Sequence, residues 1–174
     1  MNQVPTILLV EDNPVDVVLM QRAFRQLDSP YRLTVTTDGA QAMQYLTGEA
    51  PYADREEYPF PSLILLDLGL PIVDGFQFMQ WLRQQSSVRH VPVIVLSGSS
   101  FSPDVKRAYA AGANSFLTKP SGLTELTAEI KGLTDYWIGH CKLPDSPAPL
   151  MPGVMPGAQG KTLTPPSANA SPAA

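Results

Sequence analysis

The sequence predicts an α/β domain in which five parallel strands form one doubly wound sheet with helices on both faces. Three observations lead there. Short apolar runs at residues 7–10, 63–66 and 93–96 alternate with segments whose apolar residues recur at helical spacing. Such alternation means βαβ units with parallel strands, and right-handed crossovers carry the helices to both faces. Finally, carboxylates, a hydroxyl and a lysine stand just after four of the strand-like runs, at the edge where open parallel sheets bind ligands.

Each element has its own signal. Residues 7–10 form the first strand. Asn13-Pro14 opens the first helix, with Asn as N-cap and Pro at the first helical position. Val15, Val18, Leu19, Ala23 and Leu27 recur at helical spacing and are expected to form its buried stripe. Residues 32–36 are the second strand, and Asp38 caps a short helix that runs to Leu46 and stops at Gly48. The third strand is 63–66, followed by a helix over about 75–84. The fourth is 93–96. Ser102-Pro103 then opens a helix that Gly112 ends, and the fifth strand is 115–118. The last helix carries Leu126, Ile130, Leu133 and Trp137 at spacings of four, three and four, read as a core stripe. Five such units make a flavodoxin-like fold whose switch point lies beside the first strand.

Two segments stand apart. Residues 49–61 make a long connection containing Tyr52, Arg55, Glu56, Glu57 and Tyr58, either a functional loop or a solvated excursion. The folded body is expected over residues 1–143. Residues 144–174 are rich in Pro, Ala, Gly and Ser, with Asp145 and Lys161 as their charged side chains. Such a segment cannot bury enough apolar surface to offset chain entropy, and disorder is expected there.

Composition narrows the function. The chain has 174 residues, 44 % of them hydrophobic, which suits one domain plus an extension. A net charge of −4 gives no basic footprint for nucleic acid, and no basic amphipathic stretch suggests a membrane surface. A single cysteine, Cys141, excludes an internal disulfide and suits a reducing compartment. No apolar run approaches the roughly 20 residues that span a bilayer, and no signal peptide is legible. A cytoplasmic location is expected.

The strand-end residues carry the chemistry. Glu11 and Asp12 follow the first strand and Asp67 the third, and three clustered carboxylates require a cation. Oxygen-only ligation by few protein groups favours Mg²⁺, with the Gly69 carbonyl as a further ligand. Counting Lys119 and a divalent cation, the site balances to neutrality. Asp67 is the candidate nucleophile for an aspartyl phosphate. Lys119 offers a point charge to one phosphoryl oxygen and Ser97 a hydroxyl to another, because phosphoryl transfer needs positioning and charge neutralisation above all.

These residues resemble the receiver domain of two-component response regulators. The resemblance rests on Val10-Glu11-Asp12-Asn13, Leu66-Asp67-Leu68-Gly69-Leu70-Pro71, Asp74-Gly75, Val95-Leu96-Ser97-Gly98 and Thr118-Lys119-Pro120. It implies phosphotransfer from a sensor histidine kinase to Asp67, with Mg²⁺ at Glu11, Asp12, Asp67 and the Gly69 carbonyl. It also implies a cis bond before Pro120 and a switch in which Ser97 follows the phosphoryl group while Phe116 reorients. Apart from self-phosphorylation and slow autodephosphorylation, no enzyme activity is implied. The 49–61 insertion and the Tyr136-Trp137 ending look like the single-domain regulators that partner bacterial phytochromes. That likeness implies a phytochrome kinase as phosphodonor and a homodimer, with Tyr109, Phe116 and Trp137 as candidate contacts. Gly69 stands where that group commonly has asparagine, and Ser97 where threonine is commoner.

Two other classes fit these residues less well. A receiver fold used only as a phosphate-independent interaction module would not need Glu11, Asp12, Asp67, Ser97 and Lys119 together. A dinucleotide binder would need a glycine-rich first turn, and this one reads Glu-Asp-Asn-Pro.

Overall fold

The computed structural model of the chain describes residues 4–27, 31–98 and 102–144. Its strands are β1 (Thr6–Val10), β2 (Arg32–Thr36), β3 (Leu63–Leu66), β4 (Val93–Ser97) and β5 (Ser115–Thr118). All pair in parallel, in the order β2-β1-β3-β4-β5. The helices are α1 (Pro14–Arg25), α2 (Gly39–Thr47), α3 (Gly75–Gln84), α4 (Ser102–Ala110) and α5 (Leu123–Thr134), which runs on into a π-helical segment, Asp135–His140. The predicted doubly wound sheet is therefore the observed one. Among the described residues, no helix is long and apolar enough to cross a membrane.

Side-chain alternation along the strands builds two cores. Leu8, Val10, Ile64, Leu66, Val93 and Val95 face α2, α3 and α4, where Tyr45, Phe78, Met79 and Leu82 are buried. Ile7, Leu9, Leu63, Leu65, Ile94 and Leu96 face α1 and α5, against Met20, Ala23, Leu126 and Ile130. A strand apolar at every position is what burial on both faces requires, and each such side chain contributes about 1.5–3 kcal/mol of transfer free energy.

Asn13 and Asp38 cap helix starts as predicted. Asn13 accepts from the Val15 amide at 3.0 Å. Asp38 accepts from the Gln41 amide at 2.8 Å, and Asp74 forms a reciprocal capping box with Gln77. Gly48 ends α2 in the left-handed conformation, φ 76°.

The expected stripe of α1 is corrected at two positions, whereas Leu19, Ala23 and Leu27 do pack on the core. Val15 and Val18 are 70 % and 46 % exposed, and the fully buried positions are Met20 and Ala23. Residues 15 and 18 satisfy helical spacing as well as the inward residues do, so periodicity admits both faces. Packing of α1 against α5 selects between them. The stripe of α5 holds: Leu126 and Ile130 are buried, and Leu133 and Trp137 pack partly buried on the same core.

Residues 49–61 are not a solvated excursion. Tyr45, Tyr52 and Tyr58 meet edge to face with centroids 5.1–6.2 Å apart, and the Tyr45 hydroxyl donates to the Pro59 carbonyl. Arg55 donates to the carbonyls of Tyr45 (2.8 Å), Leu46 (3.0 Å) and Tyr58 (3.2 Å), and its guanidinium lies 4.0 Å over the Phe60 ring. It thereby satisfies carbonyls at the end of α2 that have no helical partner. Arg32 ties the loop to β2 through the carbonyls of Glu56 and Glu57. Beyond Pro144 the predicted tail lies outside the described residues.

Candidate functional site

The strand order places the site. The chain leaves β1 for β2 on one side, then crosses to β3 on the other, so the C-terminal ends of β1 and β3 open beside each other. Val10 pairs with Leu66, and the Asp67 amide donates to the Val10 carbonyl at 3.0 Å. The residues that follow, Glu11 and Asp67, are thus neighbours. Carboxylate oxygens of Glu11, Asp12 and Asp67 lie within 4.8 Å of one another. Glu11 is buried, Asp67 half-buried and Asp12 exposed. Three carboxylates at one point, one of them buried, supply the all-oxygen donor set that suits a hard divalent cation. Gly69 is exposed beside them, and a Cβ built on it would lie 3.5 Å from the nearer Asp67 oxygen, so the β3–α3 loop runs close by the carboxylate.

Lys119 reaches this cluster from the end of β5. Its ammonium is 2.6 Å from Glu11 Oε2, 2.9 Å from Asp16 Oδ2 and 3.5 Å from Asp67 Oδ1. Its backbone amide donates to the Ser97 carbonyl at 2.7 Å. Burial raises the pKa of Glu11, and the Lys119 hydrogen bond offsets only part of that. For Lys119 burial acts against the charge, but its hydrogen bonds to Glu11 and Asp16 and the charge of Asp67 outweigh it and raise the pKa. Lys119 is therefore a fixed cation at physiological pH.

Asp16 escaped the sequence reading. An acid in the first turn of a helix ordinarily complements the helix dipole; nothing local says that it meets a lysine 103 residues further along. It also changes the charge balance. Neutrality with a divalent cation was expected, and Asp16 leaves the site one charge more negative.

Ser97 ends β4 buried and pairs with Thr118 across the ladder. Phe116 pairs with Val95 and packs, partly buried, on the α2–α3–α4 core. Alternation puts Ser97 on the same sheet face as Val95 and Phe116. The three candidate dimer contacts are divided. Tyr109 is half-exposed on α4, Phe116 belongs to one core and Trp137 packs on the opposite one. The expected cis bond before Pro120 is corrected: Lys119-Pro120 is trans, and the cis bond among the described residues is Ala50-Pro51. The two X–Pro isomers differ by only about 0.5–1 kcal/mol, so local tertiary setting rather than the dipeptide selects one.

A five-stranded sheet in this order, with an acid pair after β1, an aspartate after β3, a hydroxyl ending β4 and a lysine after β5, has the architecture of a two-component signalling receiver. The chain belongs to the response regulator receiver domain family, which matches residues 7–131. It is 35 % identical to the probable methanogenesis regulatory protein FilR2 of Methanothrix harundinacea, over 79 % of this chain and 86 % of that one. It is 34 % identical to the response regulator Rcp1 of Synechocystis, over 82 % of this chain and 95 % of that one. Among solved structures, it resembles the phosphorylated cyanobacterial phytochrome response regulator RcpA (TM-score 0.74, 34 % identity, covering 82 % and 99 % of the two chains). It also resembles RPA3017, from red light signalling of R. palustris (TM-score 0.78, 34 % identity, 82 % and 100 %). The Mn²⁺-bound form of Rcp1 is a third (TM-score 0.70, 34 % identity, 80 % and 99 %).

Proposed function

We propose that this chain is a single-domain response regulator that accepts a phosphoryl group on Asp67 from a sensor histidine kinase and signals through the resulting conformational change. The observation that carries this reading is the convergence of Glu11, Asp12 and Asp67 oxygens within 4.8 Å, with Lys119 within 3.5 Å of Asp67. An Asp67 oxygen attacks phosphorus as the P–N bond to the donor imidazole breaks, and the imidazole takes up a proton. Glu11, Asp12, Asp67 and the Gly69 carbonyl would hold Mg²⁺, which when bound neutralises charge on the transferring phosphoryl oxygens. Lys119 pairs with one phosphoryl oxygen. The Ser97 hydroxyl donates to another, and drawing Ser97 toward the site opens room on the sheet face it shares with Phe116. That motion biases a two-state element.

The phosphodonor in this reading is a bacterial phytochrome kinase, supported by the named roles of RcpA and RPA3017. A cytoplasmic location follows from such a donor, and a homodimer would use Tyr109, Phe116 and Trp137. Slow autodephosphorylation resets the site.

Phosphoryl incorporation from acetyl phosphate, with and without Mg²⁺, tests the reading in wild type and Asp67→Asn. Mg²⁺-dependent labelling that the variant loses is expected. Stable labelling of Asp67→Asn would move the phosphoacceptor elsewhere. No labelling of wild type, even from a phosphorylated histidine kinase, would leave a phosphate-independent interaction module.

A further inference from the structure

Lys119 is shared among three carboxylates, and their fates differ. Glu11 and Asp67 belong to the oxygen cluster that suits a cation, whereas Asp16 does not. Yet the Lys119 ammonium makes hydrogen bonds to Glu11 (2.6 Å) and Asp16 (2.9 Å), with Asp67 further off at 3.5 Å. The lysine thus sits on one of the carboxylates that a metal requires. Glu11 is buried, and its carboxylate needs a cation at all times. A cation arriving at Glu11 replaces the lysine there and repels it. Lys119 then needs another anion, and until Asp67 carries a phosphoryl group the nearest one outside the metal set is Asp16.

Resting on the metal site proposed above, we infer that Asp16 is a positioning residue. It takes the Lys119 ammonium as the metal displaces it from Glu11 and keeps it at the edge of the site, poised for the phosphoryl group. The surroundings suit this part. Asp16 projects from the first turn of α1 with its side chain one-third exposed, beside the mouth of the site. Glu11, Asp16, Lys119 and Pro120 share one narrow cleft with Leu9, Leu19, Met20, Leu96 and Leu126. With its other walls apolar, the anions within reach of the ammonium there are these carboxylates.

The test is Mg²⁺ binding to the whole protein by isothermal titration calorimetry, in the absence of any phosphodonor. Asp16→Asn is expected to weaken Mg²⁺ binding about fivefold, the scale of a partly exposed ion pair. In a Lys119→Ala background the same substitution is expected to change affinity less than about twofold, because no lysine needs rehousing. Equal losses in both backgrounds would assign the effect to the field of Asp16 alone and overturn the positioning role. So would an unchanged affinity in Asp16→Asn. A wild type that binds no Mg²⁺ would instead overturn the metal site itself. A second measurement avoids the Lys119 variant: the ¹⁵N ammonium resonance of Lys119 in the Mg²⁺-loaded protein. Protection from solvent exchange in wild type, lost in Asp16→Asn, is expected. Protection in both proteins would overturn the inference.

Discussion

Gly75 lies directly against the backbone of Asp67: a Cβ built on Gly75 would stand 2.5 Å from the Asp67 carbonyl oxygen and 2.8 Å from Leu68 Cα. The Gly75 amide also donates to the Leu68 carbonyl at 3.2 Å. The start of α3 and the proposed phosphoacceptor are thus one rigid unit. Gly75→Ala has to push β3 and α3 apart, a destabilisation of about 1–3 kcal/mol by overpacking. Chemical denaturation is expected to show it, together with slower phosphoryl uptake from acetyl phosphate because Asp67 moves. Gly69→Ala, whose Cβ would make only ordinary contact with Asp67, is expected to leave the denaturation midpoint unchanged. The same loss in both would mean that the loop, not the close approach, sets the cost.

Removing the lysine exposes the cost of Glu11. Lys119→Met leaves a buried carboxylate without its cation in the metal-free protein. The expected loss is about 2 kcal/mol near neutral pH, below the range for fully buried pairs because Lys119 keeps some solvent contact. The sign with pH follows from Glu11, whose pKa burial already raises above the ordinary 4.5. A raised acid costs stability where it is ionised, so the deficit of Lys119→Met shrinks as pH falls through the raised Glu11 value. Lys119 itself contributes fully below its ordinary 10.5, and that contribution is lost as pH rises through its raised folded value. Denaturation midpoints of both proteins, followed from neutral pH down through the ordinary carboxylate range (roughly pH 4), check this. A pH-independent gap would show that Glu11 is not the group left uncompensated.

Arg55 is a staple. Arg55→Ala frees the carbonyls of Tyr45, Leu46 and Tyr58 and removes the contact with Phe60. A loss of about 2–3 kcal/mol is expected. Arg55→Lys is expected to recover little, since an ammonium lacks the planar fork that serves carbonyls on α2 and in the loop together. Proteolysis of the 49–61 segment should accelerate in step, and a segment that resists protease in Arg55→Ala would show that the tyrosine cluster holds it alone.

Ile72 carries strain in the open. It is a β-branched residue at φ 65° and is 83 % exposed in the loop between β3 and α3. Ile72→Asn keeps no unfavourable β-branch in the left-handed region and gives up almost no burial. Stabilisation of about 1 kcal/mol is expected, read as a higher melting midpoint. A lower midpoint would mean that the isoleucine side chain makes contacts worth more than its backbone strain.

Much of this molecule is local and therefore legible in the chain. Asn13-Pro14 and Asp38 announce helix starts because a capping side chain bonds to amides two or three residues away. The apolar runs of β1, β3 and β4 announce buried strands, and Glu11, Asp67, Ser97 and Lys119 stand where strand ends put them. What the chain leaves open is decided between distant segments. Two faces of α1 satisfy the helical period, and only α5 determines that Met20 and Ala23 point inward. Arg55 is one charged residue in a polar stretch until the end of α2 presents it with carbonyls. The isomer of Lys119-Pro120 is set by its surroundings. Asp16 acquires a partner only when β5 brings Lys119 to the mouth of β1. The division has a physical cause. Caps and periodicity act within a few residues and are encoded there, whereas charge pairing and face selection depend on distances that exist only after the sheet has closed.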